Sequence, residues 1–248
     1  MTAFGCPQVG ASTCSRGKQR TIRPWPTASL RQDGDYLDAN GLLSNRKQRL
    51  FDCACVRRIW HLLLDEKGRK AVEVAEGFAD GQASIDELRD AQGFALSAAD
   101  AQATLYLPGT PNSYSVLAAA AGAAWEFRSG ADPLRHTAEA IAWQGLTKNG
   151  RSERRLAKEK FAEERKIQAT LLREIVGNPF WPFRVLPSTL AASLAQVIYD
   201  QRDFDRLPKV ADALEKAGCD NPKVLSHCWL PGPHVRGCWV VDAVLGKR

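Results

Sequence analysis

The helix start and stop signals of residues 204–246 constrain the fold more than any other part of the sequence. Pro208 stands where a first helical turn tolerates a residue without an N–H group, and Gly218 stands where a left-handed residue can end that helix. Leucine, valine and alanine recur between them at helical spacing. An Asn-Pro pair at 221–222 repeats the start signal, and the Pro-Gly-Pro motif at 231–233 must end this second helix. The C-terminal part is therefore predicted to be helical.

A last helix is predicted to begin at His234 and to end at about Leu245. His234, Cys238 and Asp242 would then be four residues apart and would line one face. Such a row on an apolar helix suggests two metal ligands with a supporting carboxylate, or a thiol with a base. The alternative is that Cys238 is a core residue, that His234 lies at the helix start and that Asp242 pairs with an arginine. This structural alternative is favoured, because cysteine is among the most buried residue types.

An amphipathic helix is predicted over residues 46–64, preceded by a Ser-Asn pair of which either residue can cap it. Its polar positions carry lysine and arginine, while its other face is apolar. Arg57 and Arg58 are our candidates for the ion-pair partner of Asp242, on chemical grounds alone.

Cysteine and histidine side chains are concentrated near the C-terminus. Four ligands drawn from such a set would suit a structural zinc ion, which is the one cofactor that the sequence suggests. The adjacent pair His227 and Cys228 weighs against this reading, since neighbouring residues of a regular helix do not point the same way. The candidate ligands are Cys219, His227, Cys228, His234 and Cys238.

Helical patterns also fill the middle of the chain, and no convincing alternation of period two indicates a strand. Ser84 and Glu87 form a capping box, an Asp-Pro pair at 132–133 starts another helix, and residues 151–177 form the longest helix. The fold class predicted is all-α, an irregular multi-helix bundle of about nine or ten helices with little or no sheet.

Charge and composition suggest how the chain is divided. Residues 1–44 are rich in glycine, proline and basic residues and are predicted to be a poorly ordered segment, while residues 45–248 form a helical domain with a weak sub-boundary near 178–187. Most of the net charge of +6 lies in the first fifty residues. Such a segment is a solvated tail or, alternatively, holds nucleic acid electrostatically. The basic residues there are Arg16, Lys18, Arg20, Arg23, Arg31, Arg46, Lys47 and Arg49.

The compartment is predicted from the cysteines and from hydropathy. The seven cysteines of this 248-residue chain show no disulfide framework, which favours reduced thiols in the cytoplasm. No run approaches the roughly 20 apolar residues of a membrane span. The N-terminus also lacks the apolar core of a secretory signal.

Two motifs carry a resemblance to a known family. Residues 49–63 read RLFDCACVRRIWHLL and residues 232–242 read GPHVRGCWVVD. Together with shorter matches at 70–76, 79–81, 177–180, 198–199 and 204–208, they resemble an uncharacterised paralogous family of planctomycete bacteria. The resemblance covers roughly half of the chain and leaves out residues 1–44. It implies kinship and supplies no activity.

Three classes of function follow from these observations. A non-catalytic module that binds another protein comes first, because the sequence has no nucleophile elbow, no motif of paired carboxylates and no phosphate-binding loop. An exposed apolar surface that includes Trp181 or Trp229 would support it. A structural zinc domain and non-specific nucleic-acid binding through the basic N-terminal segment are the alternatives. An enzyme is less expected than any of these.

Overall fold

The computed structural model is all-α, as the sequence predicts. It describes Leu30, residues 33–34, Leu37 and residues 40–104, 113–126, 132–146, 150–179 and 188–247. This part of the chain contains ten α-helices and one short 3-10 helix, Phe204–Arg206, and no strand. The helices are α1 Asn45–Arg57, α2 Glu66–Ala79, α3 Ile85–Thr104, α4 Ser113–Ala123, α5 Pro133–Trp143, α6 Arg151–Val176, α7 Thr189–Gln201, α8 Leu207–Lys216, α9 Pro222–Trp229 and α10 Trp239–Leu245.

The predicted helix starts are mostly confirmed, because capping is local chemistry. The Ser44 hydroxyl accepts the N–H of the third residue of α1, so Ser44 rather than Asn45 is the cap. Ser84 and Glu87 satisfy each other's backbone N–H groups before α3. Asn221 caps α9 in the same way.

Two helix boundaries differ from the prediction. α1 ends at Arg57, and the chain continues in tight turns that carry Ile59 and Leu63 into the core. α10 begins at Trp239 instead of His234. Gly237 adopts a φ of 89°, and a Cβ atom at this residue would lie 3.1 Å from the side chain of Leu50. The segment before α10 therefore follows the surface of α1 as irregular chain, and close packing overrides the helical pattern.

The helices pack around three groups of buried side chains. The alanine-rich α4 lies in the middle of the first group, against α1, α2, α3 and α5. Its small side chains allow this close approach of backbones. The second group joins α7, α8, α9 and α10, and the third joins α1 with α6. α1 is thus central, and α6 extends from the α5 side of the molecule to the C-terminal helices.

Part of the segment before residue 45 belongs to the helical domain. Leu30 and Leu37 are buried against α1 and α6, and the carboxylate of Asp33 pairs with Arg173 at 2.7 Å. Residues 1–29, 31–32, 35–36 and 38–39 and most of the proposed sub-boundary near 178–187 lie outside the described residues. Within the described residues, none of the helices combines the length and the apolar character that crossing a membrane requires.

Candidate metal centre

Four side chains of the kinds that bind zinc meet between α6, α9 and the segment before α10. Glu174 lies in the last turn of α6, His227 lies on α9, and His234 and Cys238 lie in the irregular segment. One ligand atom from each of the four residues can be chosen so that all four lie within 4.8 Å of one another. These four residues are called the metal cluster below.

The carboxylate of Glu174 is at the centre of the metal cluster. Its Oε1 lies 2.9 Å from His234 Nδ1 and 3.4 Å from His227 Nε2. His227 Nε2 also lies 3.2 Å from Cys238 Sγ. The Glu174 side chain is 6% exposed and Cys238 is fully buried, so the hydrogen-bond partners of both groups must come from the protein rather than from water.

The protonation of His234 follows from its two contacts. Nδ1 faces the Glu174 carboxylate, and Nε2 faces the backbone oxygen of Leu230 at 3.2 Å. Both partners are acceptors, so both nitrogens donate and the ring is an imidazolium. Burial lowers the pKa of His234, but the hydrogen bond and the negative charge of Glu174 outweigh it, and the net shift is upward. The pKa of Glu174 is lowered: burial raises it, but the hydrogen bonds from both histidines have the larger combined effect.

Hydrogen bonding orients the ring of His227, and burial keeps the Cys238 thiol protonated in the same arrangement. The indole N–H of Trp239 donates to His227 Nδ1 at 3.2 Å, so Nδ1 is an acceptor and the Nε2–H of His227 faces Cys238 and Glu174. Burial raises the pKa of the Cys238 thiol well above its usual range, and the Glu174 charge adds to this. Without a metal ion, the metal cluster is therefore a hydrogen-bonded ion pair between Glu174 and His234.

A bound metal ion would replace protons at three positions. Cys238 would become a thiolate, and His234 would bind through Nδ1 while its Nε2–H still donates to Leu230. A His227 bound through Nε2 would carry its proton on Nδ1, where it can no longer accept from Trp239. The indole of Trp239 must then change its hydrogen-bond partner, so this tryptophan is a built-in reporter of metal binding.

The structure brings together three of the five candidate ligands that the sequence suggested. Cys219 and Cys228 do not belong to the metal cluster; both are buried in the apolar group of the C-terminal helices. Burial raises the pKa of Cys228 to about 12. Glu174 was missed. The available signal was its position, an acidic residue within the apolar last turns of α6.

The predicted row of His234, Cys238 and Asp242 does not form. His234 and Cys238 precede α10, while Asp242 lies on it and is directed elsewhere. The Asp242 carboxylate accepts from Arg46 at 2.7 and 3.1 Å, so the expectation that Arg57 or Arg58 pairs with it is wrong.

The two expected arginines pair with other buried acids. Arg57 donates to Glu76 at 2.6 Å and Arg58 donates to Glu164 at 2.7 Å. The pairing of a buried acid with an arginine was predicted correctly. Which arginine pairs with Asp242 depends on the direction in which each arginine side chain projects from α1 and its C-cap.

The predicted interaction surface is only partly described. Trp229 is 42% exposed and its indole N–H donates to Asp212, and Leu230 beside it is 63% exposed. Trp181 lies outside the described residues.

The fold and the metal cluster define an all-α protein with a candidate metal centre. No family model, no curated protein and no solved structure matches the chain significantly. The resemblance to the planctomycete family therefore stays a prediction.

Proposed function

We propose that this protein is a non-catalytic helical domain in which a structural zinc ion is bound by Glu174, His227, His234 and Cys238. The observation that carries this proposal is the meeting of four potential ligand atoms within 4.8 Å. One thiol, two imidazoles and one carboxylate are all ligands that zinc accepts.

A structural role fits better than a catalytic one. Four protein ligands complete a tetrahedral zinc site, whereas catalytic zinc keeps one position for water or substrate. The metal cluster is also closed to solvent: the side chains of Glu174, His227 and His234 are 6%, 17% and 8% exposed.

Most of the ligands come from parts of the chain that have little stability of their own. α9 and α10 have eight and seven residues, lengths at which a helix is marginal without tertiary support. The segment between them is irregular. A zinc ion would tie all three to the end of α6, and its binding free energy would add to the free energy of unfolding.

The first test is the zinc content of the purified, reduced protein, measured by elemental mass spectrometry. We expect about one zinc ion per chain, and its removal by a chelator should lower the midpoint of thermal unfolding. Cobalt(II) in its place should give the visible bands of a tetrahedral site and a thiolate charge-transfer band.

Matched cysteine variants locate the site. Cys238→Ser should abolish the thiolate band and weaken zinc binding by at least about tenfold, whereas Cys228→Ser removes a buried thiol outside the metal cluster and should retain zinc. A folded protein that takes up no zinc, or Cys228→Ser losing zinc as completely as Cys238→Ser, would contradict the proposal.

Binding of another protein stays a prediction. Trp229 and Leu230 form a small exposed apolar pair, but nothing in the described residues indicates what would cover it.

Nucleic-acid binding also stays a prediction. Three of the basic residues that suggested it make contacts inside the fold: Arg46 donates to two carboxylates, and Lys47 and Arg49 donate to backbone oxygens.

A further inference from the structure

Three guanidinium groups that are not part of the metal cluster converge on one buried carboxylate, that of Glu76. Arg57 donates to Glu76 through Nε at 2.6 Å and Nη2 at 2.7 Å, and Arg202 donates to both oxygens of the same carboxylate. Nη1 of Arg236 lies 3.9 Å from Glu76 Oε2. Arg57, Arg202 and Arg236 are called the arginine cluster below.

The charges around the arginine cluster do not balance. Asp80 accepts from Arg46 and Tyr199 and lies 3.4 Å from Lys247, while Asp242 pairs with Arg46. Among the described residues, the side chains that these ion pairs connect are five cations and three carboxylates, an excess of two positive charges. Its charged members are Arg46, Arg57, Arg202, Arg236 and Lys247 with Glu76, Asp80 and Asp242.

Arg236 is the least satisfied member of this network. Its side chain is 13% exposed, and its Nε is buried without a hydrogen-bond partner in the described part of the chain. Its nearest carboxylate oxygens, on Glu76 and Asp80, are 3.9 and 3.7 Å away, too far for direct hydrogen bonds. Its guanidinium lies over the ring of Tyr199 at 4.8 Å. A buried guanidinium with spare donors indicates a missing acceptor.

The backbone at Arg202 is a second, independent indication. Arg202 follows the last turn of α7 with a φ of 57°, a left-handed conformation in which glycine is usual at this place. Among the described residues it is the one non-glycine with a positive φ. Strained backbone of this kind is often found at functional sites, and here it directs a guanidinium toward Glu76.

Two arginines of the arginine cluster and the neighbouring Lys247 are partly exposed to solvent. The side chains of Arg57, Arg202 and Lys247 are 24%, 31% and 24% exposed. Glu76 uses only part of the donors of Arg57 and Arg202, and the planar forks of arginine fit the oxygens of an oxyanion in pairs. Two uncompensated positive charges match a phosphate monoester, whose charge near neutral pH is about −1.5 to −2, better than a carboxylate with a charge of about −1.

We propose that the arginine cluster binds a phosphate group, with Arg236 as the central ligand and Arg57 and Arg202 on its flanks. The ligand is inorganic phosphate or a small phosphate monoester. The three arginines are not ligands of the metal cluster, although Arg236 lies between His234 and Cys238 in the chain.

The experiment is isothermal titration calorimetry of the full chain with inorganic phosphate and, separately, with phosphoethanolamine, at constant ionic strength set by chloride. We expect saturable binding of one phosphate group per chain. Saturable binding of either compound supports the proposal, and the compound that binds more tightly identifies the source of the phosphate group. If neither compound gives a saturable signal, the proposal is overturned.

Variants test the assignment of residues. Arg236→Met should weaken phosphate binding at least about tenfold, because losing hydrogen bonds to a charged group lowers affinity by at least this factor. Arg202→Gly removes a guanidinium while glycine accepts the left-handed backbone. If Arg236→Met does not fold, the phosphate affinity of Arg202→Gly tests whether the arginine cluster binds phosphate. The control Arg135→Met removes an arginine that is 67% exposed on α5 and should leave binding unchanged. An equal loss of affinity in the control would overturn the assignment.

Discussion

The buried carboxylate of Asp242 illustrates how single residues hold this fold together. Its side chain is 2% exposed and accepts two hydrogen bonds from Arg46, which also donates to Asp80 at the C-terminal end of α2. Arg46 therefore ties α1, α2 and α10 with one guanidinium group. The geometry is bidentate, which is the strongest arrangement for this pair.

Replacing Asp242 with alanine should lower the free energy of unfolding by about 3 kcal/mol, the lower end of the range for a broken buried ion pair, since Arg46 keeps Asp80 as a partner. Chemical denaturation followed by circular dichroism measures the change. Asp90→Ala on the exposed side of α3 is the matched control and should change stability by less than about 0.5 kcal/mol. An Asp242→Ala change as small as the control would contradict the role given to this carboxylate.

At the scale of one element, the end of α6 positions the metal cluster. Gly177 ends this helix with φ 72° and ψ −157°, a region that is essentially restricted to glycine. A Cβ atom at this residue would lie 2.9 Å from Trp239 Cγ. The close approach places Trp239 against His227, and Glu174 in the last turn of the same helix faces both histidines.

Gly177→Ala should therefore destabilise the protein by about 1–3 kcal/mol from backbone strain, with a further cost from the contact with Trp239. Gly246→Ala is the control: Gly246 has a φ of 67°, but its Cβ would meet no atom within 4 Å. We expect about 1–2 kcal/mol for the control, the ordinary cost of the left-handed conformation. Thermal unfolding of both variants checks the difference, and equal losses would show that the contact with Trp239 is unimportant.

At the scale of the whole molecule, the buried network of acids and arginines makes stability depend on pH. Burial raises the pKa of Glu76, but hydrogen bonds and charges from Arg57 and Arg202 outweigh it and the net shift is downward. The pKa of Asp80 is also lowered: burial raises it, and the hydrogen bonds from Tyr199 and Arg46 outweigh this. Both carboxyl groups thus have lower pKa values in the folded protein than in the unfolded chain.

The sign of the pH dependence follows from linkage. The unfolded chain binds more protons in acid, so this contribution to stability is complete above the unfolded pKa values, about 4, and is lost as the pH falls through the folded values. Urea denaturation at a series of pH values between about 7 and 3 should show a falling free energy of unfolding. Glu159→Gln, an exposed acid on α6, should keep the wild-type slope. A flat profile over this range would contradict the prediction.

Local signals made much of this fold predictable. Ser44, Ser84 and Asn221 cap helices where the sequence places them, since a cap needs only partners two or three residues away. The long charged face of α6 also matches the prediction, with exposed pairs such as Lys166 and Glu163. The all-α class follows from the same local information.

The site was only partly predictable. His227, His234 and Cys238 could be recognised as candidates by residue type, but Glu174 lies more than fifty residues earlier in the chain and entered no spacing pattern. The start of α10 was misjudged because the helical pattern of its sequence continues back to residue 234, while the backbone at Gly237 is held against Leu50.

The sequence by itself determined which segments are helical, where most of the helices begin and that the histidines and Cys238 near the C-terminus are candidate metal ligands. Only the tertiary structure decided that Arg46 rather than Arg57 meets Asp242, that Glu174 joins the metal cluster and that three arginines surround Glu76. The physical reason is range. Helix formation and capping depend on neighbours within about four residues, whereas buried charges find their partners through the packing angles of whole helices.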